Sequence, residues 1–192
     1  MSGDSRDAYR QGFHHRLLQS RRNGARIATD REERLEVSHA VRRIRLTFPD
    51  TGESVVADLL DAEAPRLCEA VWGLLPLEKR LLHGMYSGPE VFMVLDEARP
   101  IARENEVQLP LPGEILLFHD EGTSAAGRNR AVSEICLVYG RGVVLREHEG
   151  IPTRAGLFAR IPGDWQHDWT AFAEACRRVR SHGPRTLRIE HA

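Results

Sequence analysis

The segment HGMYSGPE, residues 83–90, lies between two apolar stretches, LL immediately before it and VFMVL immediately after it. It places an imidazole, a phenol, a hydroxyl and a carboxylate close together along the chain. Two glycines and a proline interrupt the segment, so the backbone must bend here rather than run straight. We therefore predict a corner between two strands, which either lines a pocket or only turns the chain.

The residues before this corner alternate between apolar and polar in two stretches, about 41–49 and 54–60, separated by the turn Asp50-Thr51-Gly52. That pattern is typical of a β-hairpin with one buried face. A helix with one apolar face should follow the hairpin, capped by Asp61 and ended by Pro76.

The residues after the corner contain further short stretches with the composition of strands. These stretches are 90–95, 114–119, 134–140, 143–146, 156–161 and 186–190. Asp164 should cap a second helix that runs to about Arg180. With turn signals roughly every 8–12 residues, the pattern predicts a mainly β chain, a closed antiparallel barrel with two capping helices.

The N-terminal part of the chain has a different composition. Residues 1–38 are polar and charged, but Tyr9 and Phe13 lie at helical spacing. We predict an N-terminal extension with a short amphipathic helix at about 6–22, and a disordered arm is the alternative. The remaining residues, 39–192, are predicted to form one barrel domain.

The overall composition excludes several classes of partner. The chain has 27 basic and 28 acidic residues, and this balance argues against a nucleic-acid binder with a strongly basic face. No apolar stretch approaches the length of a membrane span and no signal peptide is recognisable, so we expect no membrane partner. The three cysteines are widely spaced among apolar neighbours, which indicates reduced thiols and a cytoplasmic protein.

The histidines and glycines do not form a cofactor-binding pattern. His119, His148 and His167 are scattered without the spacing of zinc ligands. Gly84 and Gly88 are not followed by the helix that a phosphate-binding loop requires. We therefore expect neither a metal nor another cofactor.

Three motifs, taken in order, resemble a family of uncharacterised prokaryotic proteins with a cyclophilin-like barrel. They are HGMYSGPE at 83–90, PGEI at 112–115 and ICLVYG at 135–140, where the family reads roughly HARWSGEE, PGELL and YG. The resemblance covers about 41–192, and Tyr86 and Pro89 stand where the family often has Trp and an acid. It implies the fold but no activity, because the family has none assigned and a shared fold is not shared chemistry.

The polar residues of the 83–90 segment form the main candidate site. His83 is a candidate general base and Ser87 a candidate nucleophile, while Glu90 could orient the imidazole or bind a ligand. Tyr86 would supply an aromatic wall. His83 and Ser87 lie on the same side of an extended chain unless the glycines change that alternation. The alternative is a corner whose side chains make ordinary hydrogen bonds.

Three residues outside this segment complete the predicted ligand-binding set. Asn105 lies on the irregular stretch 96–109, where an amide suits recognition of a small polar ligand, although such a loop can also be simply solvated. Tyr139 ends the most apolar strand and could stack on a ligand or cap the core. Arg160 either faces the surface or points inward to bind a carboxylate or imide oxygen.

These observations lead to two functional hypotheses. The first is a small-molecule-binding barrel, as a hydrolase or isomerase acting on a small polar compound that carries an amide or a carboxylate. The second is a non-catalytic accessory protein that forms homo-oligomers through the predicted tryptophan-bearing helix and the N-terminal helix.

Overall fold

The structure of the protein is a computed structural model that describes residues 41–100, 103–122, 130–147 and 150–192. The predicted N-terminal helix at about 6–22 lies outside these residues. The strands are β1 Arg43–Thr47, β2 Ser54–Leu59, β3 Leu77–His83, β4 Glu90–Val94, β5 Glu106–Val107, β6 Glu114–Asp120, β7 Val132–Val138, β8 Ala155–Arg160 and β9 Arg185–His191. The helices are α1 Pro65–Trp72 and α2 Thr170–His182.

The strands close into an antiparallel barrel. Their order in the sheet is β2-β1-β9-β3-β4-β7-β6-β8, and the two-residue β5 adds to β8. A further pairing joins β2 to β8, with Asp58 opposite Arg160 and Leu59 opposite Ala159. This pairing closes a ring of eight strands, so the predicted mainly β, closed antiparallel barrel with two helices is confirmed. The finer resemblance to cyclophilins stays a prediction.

Alternate residues of the strands point into the barrel and form its core. Ile44, Leu46 and Phe48 are almost fully buried there, as the alternation of the opening hairpin predicts. α2 covers this core, and its Phe172 ring lies 5.2 Å from the ring of Phe48. Trp169, at the start of α2, is part of the same core. Neither described helix is long and apolar enough to cross a bilayer.

A second apolar cluster covers the outside of one part of the barrel wall. Phe92 pairs with Cys136, and Cys136 with Leu116, so these side chains share the outer face. Val143 and Leu145, in the segment after β7, pack over this face. β6 and β7 are therefore buried on both faces, which explains their nearly continuous apolar sequences.

Several predicted boundaries differ from the structure. α1 begins at Pro65 rather than after Asp61, whose carboxylate instead binds the guanidinium of Arg42 at 2.5 Å. α2 begins at Thr170 rather than after Asp164. The predicted strand at 143–146 is also wrong: Arg146 forms one isolated bridge, with Pro152.

Helix α1 is capped by a residue from a distant part of the chain. No side chain at its own N-terminus forms a capping hydrogen bond. Instead, Glu104 Oε2 accepts hydrogen bonds from the backbone N–H groups of Arg66 and Leu67, both at 3.0 Å. Its other oxygen binds the Arg66 guanidinium at 2.5 Å. Glu104, which lies on the loop with candidate ligand-binding function, thus has a structural role.

We expect the variant Glu104→Gln to unfold at a lower urea concentration than the wild type at neutral pH. The pKa of Glu104 is lowered below its usual range, mainly because the Arg66 side chain donates a hydrogen bond to the carboxylate. Because the folded-state pKa is lowered, this stabilisation is complete above the ordinary carboxyl pKa and is lost as the pH falls through the lowered value. The difference between variant and wild type should therefore shrink in acid, whereas the exposed Glu106→Gln should match the wild type throughout. An equal difference at all pH values would contradict the capping role.

Candidate functional site

A pocket of about 370 Å³ lies against the outer face of the barrel wall. Strands β3, β4, β6, β7 and β8 supply its floor, and two irregular segments, at 84–87 and 145–147, supply its roof. The lining residues include Leu82, Phe92, Phe118, Glu134, Cys136, Leu145, Arg146, Glu147 and Thr153, together with His83, Gly84, Tyr86, Ser87 and Glu90 of the 83–90 segment. The second apolar cluster thus continues into the pocket as its apolar lining.

The register of the strands brings the floor residues together. Phe92 lies opposite Cys136, and Phe118 lies opposite Glu134. Glu90 is two residues before Phe92 on β4 and therefore shares the same face. A buried carboxyl group, a thiol and two phenyl rings thus form one continuous surface.

Ser87 ties the two segments of the roof together. Its hydroxyl accepts a hydrogen bond from the backbone N–H of Arg146 at 3.1 Å and lies 3.4 Å from the Arg146 carbonyl oxygen. Its own carbonyl oxygen accepts from the N–H of Val144 at 3.0 Å. With 6% of its surface exposed, Ser87 is a buried structural link that holds the roof over the floor.

His83 is held in one orientation and one tautomer. Its Nδ1 lies 2.7 Å from the carbonyl oxygen of Gly84, which can only accept, so Nδ1 carries the proton. Its Nε2 accepts from the phenol of Tyr139 at 2.8 Å. Burial, followed by the charge of Arg180, lowers the pKa of His83, while burial raises the pKa of Tyr139. Both groups are therefore neutral at neutral pH.

Glu90 is the buried acid of the pocket, with only 4% of its surface exposed. Burial raises the pKa of Glu90, and hydrogen bonds from the Ser87 hydroxyl and the Cys136 thiol oppose that rise. Burial, together with Glu90 and Glu134, raises the pKa of Cys136, so Cys136 remains a thiol. A carboxyl group with a raised pKa can gain or lose a proton more readily near neutral pH than an ordinary one.

A family model described as "Protein of unknown function (DUF3830)" matches residues 46–191. The chain belongs to the DUF3830 family. This confirms the predicted resemblance to an uncharacterised family with a barrel fold.

Two solved structures resemble this DUF3830 chain in fold. McbB, solved in complex with tryptophan, aligns with a TM-score of 0.55 at 18% identity, over 77% of this chain. This chain spans 44% of the McbB chain. The hypothetical protein AF2241 from Archaeoglobus fulgidus aligns with a TM-score of 0.48 at 15% identity, over 82% of this chain and 99% of its own. No curated protein matches the chain. At these identities the McbB likeness shows the fold alone.

The structure of the DUF3830 chain brings together part of the predicted site. His83, Tyr86, Ser87 and Glu90 all line the pocket. Tyr139 does not line it but contacts it through His83. The predicted pairing of His83 as base with Ser87 as nucleophile is not formed, because both ring nitrogens of His83 bind other groups and the Ser87 hydroxyl is engaged by the Arg146 backbone.

Two predicted ligand-binding residues lie elsewhere in the structure. Asn105 has a positive φ of 46° and donates from Nδ2 to the carbonyl oxygen of Leu157 at 2.9 Å, which links it to β8. Arg160 is half-exposed and binds the buried carboxylate of Glu114 at 2.8 Å. Neither residue lines the pocket, so of the two alternatives for Arg160 the structure has the one in which it faces the surface.

Several pocket residues were not predicted from the sequence. Phe92, Phe118 and Cys136 look like ordinary core positions in apolar strands. Arg146 was assigned to the predicted strand at 143–146. A detectable signal was the continuous apolar character of β6 and β7, which indicates burial on both faces and hence a covering segment. Within the described ranges, no group of three or more metal-ligating side chains could hold a metal ion.

Proposed function

We propose that the pocket of this DUF3830 protein binds a small organic molecule. The pocket itself is the main support for this proposal. It has a volume of about 370 Å³, mostly apolar walls and a buried carboxyl group, Glu90, in its floor. Small-molecule sites have this character, a mostly apolar lining with a few placed polar groups.

The geometry favours proton transfer over acyl transfer as the chemistry of this pocket. A serine hydrolase needs a base against its hydroxyl, and the Ser87 hydroxyl instead binds the backbone of Arg146. Glu90, in contrast, lines the pocket and has a raised pKa. Between the two predicted reaction classes, this arrangement supports an isomerase that moves a proton. It disfavours a ligand with a carboxylate, because the ionised Glu90 would repel an anion.

Filling the pocket tests the proposal. We expect compounds from a ligand library to raise the melting temperature of the wild type and to have no effect on Thr153→Trp, whose indole would occupy the pocket. A ligand at 100 times its Kd stabilises a protein by about 2.7 kcal/mol, which such a screen detects easily. The control is Leu111→Trp at an exposed position, which should respond like the wild type. Compounds that stabilise all three proteins equally would bind elsewhere and contradict the proposal.

An assembly role remains the second candidate function, supported by a different surface. Leu109 and Leu111 are 66% and 64% exposed and are adjacent along the chain to two prolines. Trp169, at the start of the tryptophan-bearing helix that the assembly hypothesis uses, is buried in its own barrel core. Light scattering on the wild type and on a Leu109→Ser, Leu111→Ser double variant tests this role, and a monomer in the wild type would exclude it.

A further inference from the structure

Most of the charged side chains that line the described part of the pocket are acidic. Among the described residues, the lining contains the carboxyl groups of Glu90, Glu134 and Glu147 and the guanidinium of Arg146, and the charge of Arg180 on α2 also acts on His83. Arg146 donates from Nη1 to the Gly150 carbonyl oxygen at 2.9 Å, which holds its guanidinium in the roof. The lowered pKa of His83 keeps the imidazole neutral at neutral pH. The buried Glu90, when ionised, would repel an anionic ligand beside it and attract a cationic one.

Glu90 is buried without a positively charged partner. Its neighbours are the Ser87 hydroxyl and the Cys136 thiol, and the ion pairs found among the described residues do not include it. A buried carboxylate without a cation is costly, and the proteins that retain one often use it for binding or catalysis. A positive group in the pocket would remove most of that cost.

Gly84 leaves the Glu90 carboxyl open to the pocket. A Cβ at this position would lie 3.0 Å from Glu90 Oε2, closer than nine in ten real contacts of a Cβ atom. The φ angle of Gly84 is not in the left-handed region, so the backbone itself does not demand glycine here. A side chain at Gly84 would therefore crowd the carboxyl oxygen or displace it.

The rest of the pocket suits a flat apolar body. Phe92 and Phe118 form part of its floor, while Tyr86 and Leu145 lie at its roof. Aromatic rings pack well on flat apolar groups, and their faces also attract a cation.

We propose that this pocket takes an organic cation, a primary amine on a flat apolar or aromatic body, with its ammonium group against the Glu90 carboxylate. This rests on the proposed function, that the pocket binds a small molecule. The ammonium donates hydrogen bonds to Glu90, and the apolar body lies between the floor and the roof.

Three compounds of matched size and different charge test the proposal: 2-phenylethylamine, 2-phenylethanol and 3-phenylpropionate. Their binding is followed by NMR titration of the wild type, of Glu90→Gln and of the exposed control Glu63→Gln. We expect the amine to bind at least about tenfold more tightly than the alcohol, and the anion to bind most weakly. In Glu90→Gln the preference of the amine over the alcohol should disappear, and in Glu63→Gln it should persist.

The pH dependence of amine binding supplies a second readout. The affinity of the wild type for 2-phenylethylamine should rise with pH as Glu90 ionises, over the range in which the amine itself stays protonated. Among the described residues, the other charged or titratable groups that line the pocket are His83 on β3, Cys136 and Glu134 on β7, and Tyr86, Arg146 and Glu147 in the roof, and the charge of Arg180 on α2 also acts on His83. The part of the pH profile that belongs to Glu90 should be absent in Glu90→Gln.

The possible results separate the two proposals. Amine-selective binding that is lost in Glu90→Gln supports both of them. Binding of the alcohol or the anion at least as tight as that of the amine, with shifts at Phe92 and Phe118, would overturn the cation proposal and leave the pocket as a binding site. An absence of shifts at these two residues with every compound would count against both proposals.

Discussion

Replacing Phe172 with alanine is expected to lower the free energy of unfolding by about 3–5 kcal/mol, the usual cost of removing a fully buried phenylalanine side chain. Phe172 is 1% exposed, and its ring packs against that of Phe48 with centroids 5.2 Å apart. The Phe172 side chain packs α2 against the barrel core, so its removal would leave a cavity between the helix and the strands. Urea unfolding followed by circular dichroism measures the change.

The control for this variant is Leu111→Ala, because Leu111 is 64% exposed and truncation there removes little buried surface. Its free energy of unfolding should stay within about 0.5 kcal/mol of the wild type. A loss below about 1 kcal/mol in Phe172→Ala would mean that α2 does not seal the barrel core as described.

Glu90→Gln is expected to raise the free energy of unfolding at neutral pH by about 1–2 kcal/mol, a typical cost for a buried polar group without full compensation. The variant should therefore unfold at a higher urea concentration than the wild type. Burial raises the pKa of Glu90. The folded state therefore holds the proton more tightly than the unfolded chain, and the wild type loses stability as the pH rises from the ordinary carboxyl pKa through the raised one. Glutamine keeps the shape without the charge, so the gain should vanish in acid.

The opposite outcome for Glu90→Gln would be informative. If the variant were less stable than the wild type at neutral pH, the carboxylate would be stabilising the fold, and its role in a ligand pocket would lose support. Glu63→Gln, at an exposed position, should match the wild type at every pH. A substitution that stabilises the fold while abolishing binding is typical of a residue retained for function.

The barrel was predictable because the alternation of side chains along a strand is a local property. Ile44, Leu46 and Phe48 alternate with polar residues and are all buried. The helix starts were less predictable because capping depends on competing partners. Asp61 could have capped α1 but binds Arg42, and the capping carboxylate comes from Glu104, 38 residues beyond Arg66.

An imidazole, a phenol, a hydroxyl and a carboxylate meet at one corner between two strands because they are neighbours in the chain, so their meeting is predictable from the sequence. The role of each group depends instead on contacts that form only in the folded barrel. The partner of His83 lies 56 residues away at Tyr139, and that of Ser87 lies 59 residues away at Arg146. Strand register and the path of the covering segment decide such contacts, and both depend on the packing of the whole barrel, which local side-chain patterns do not encode.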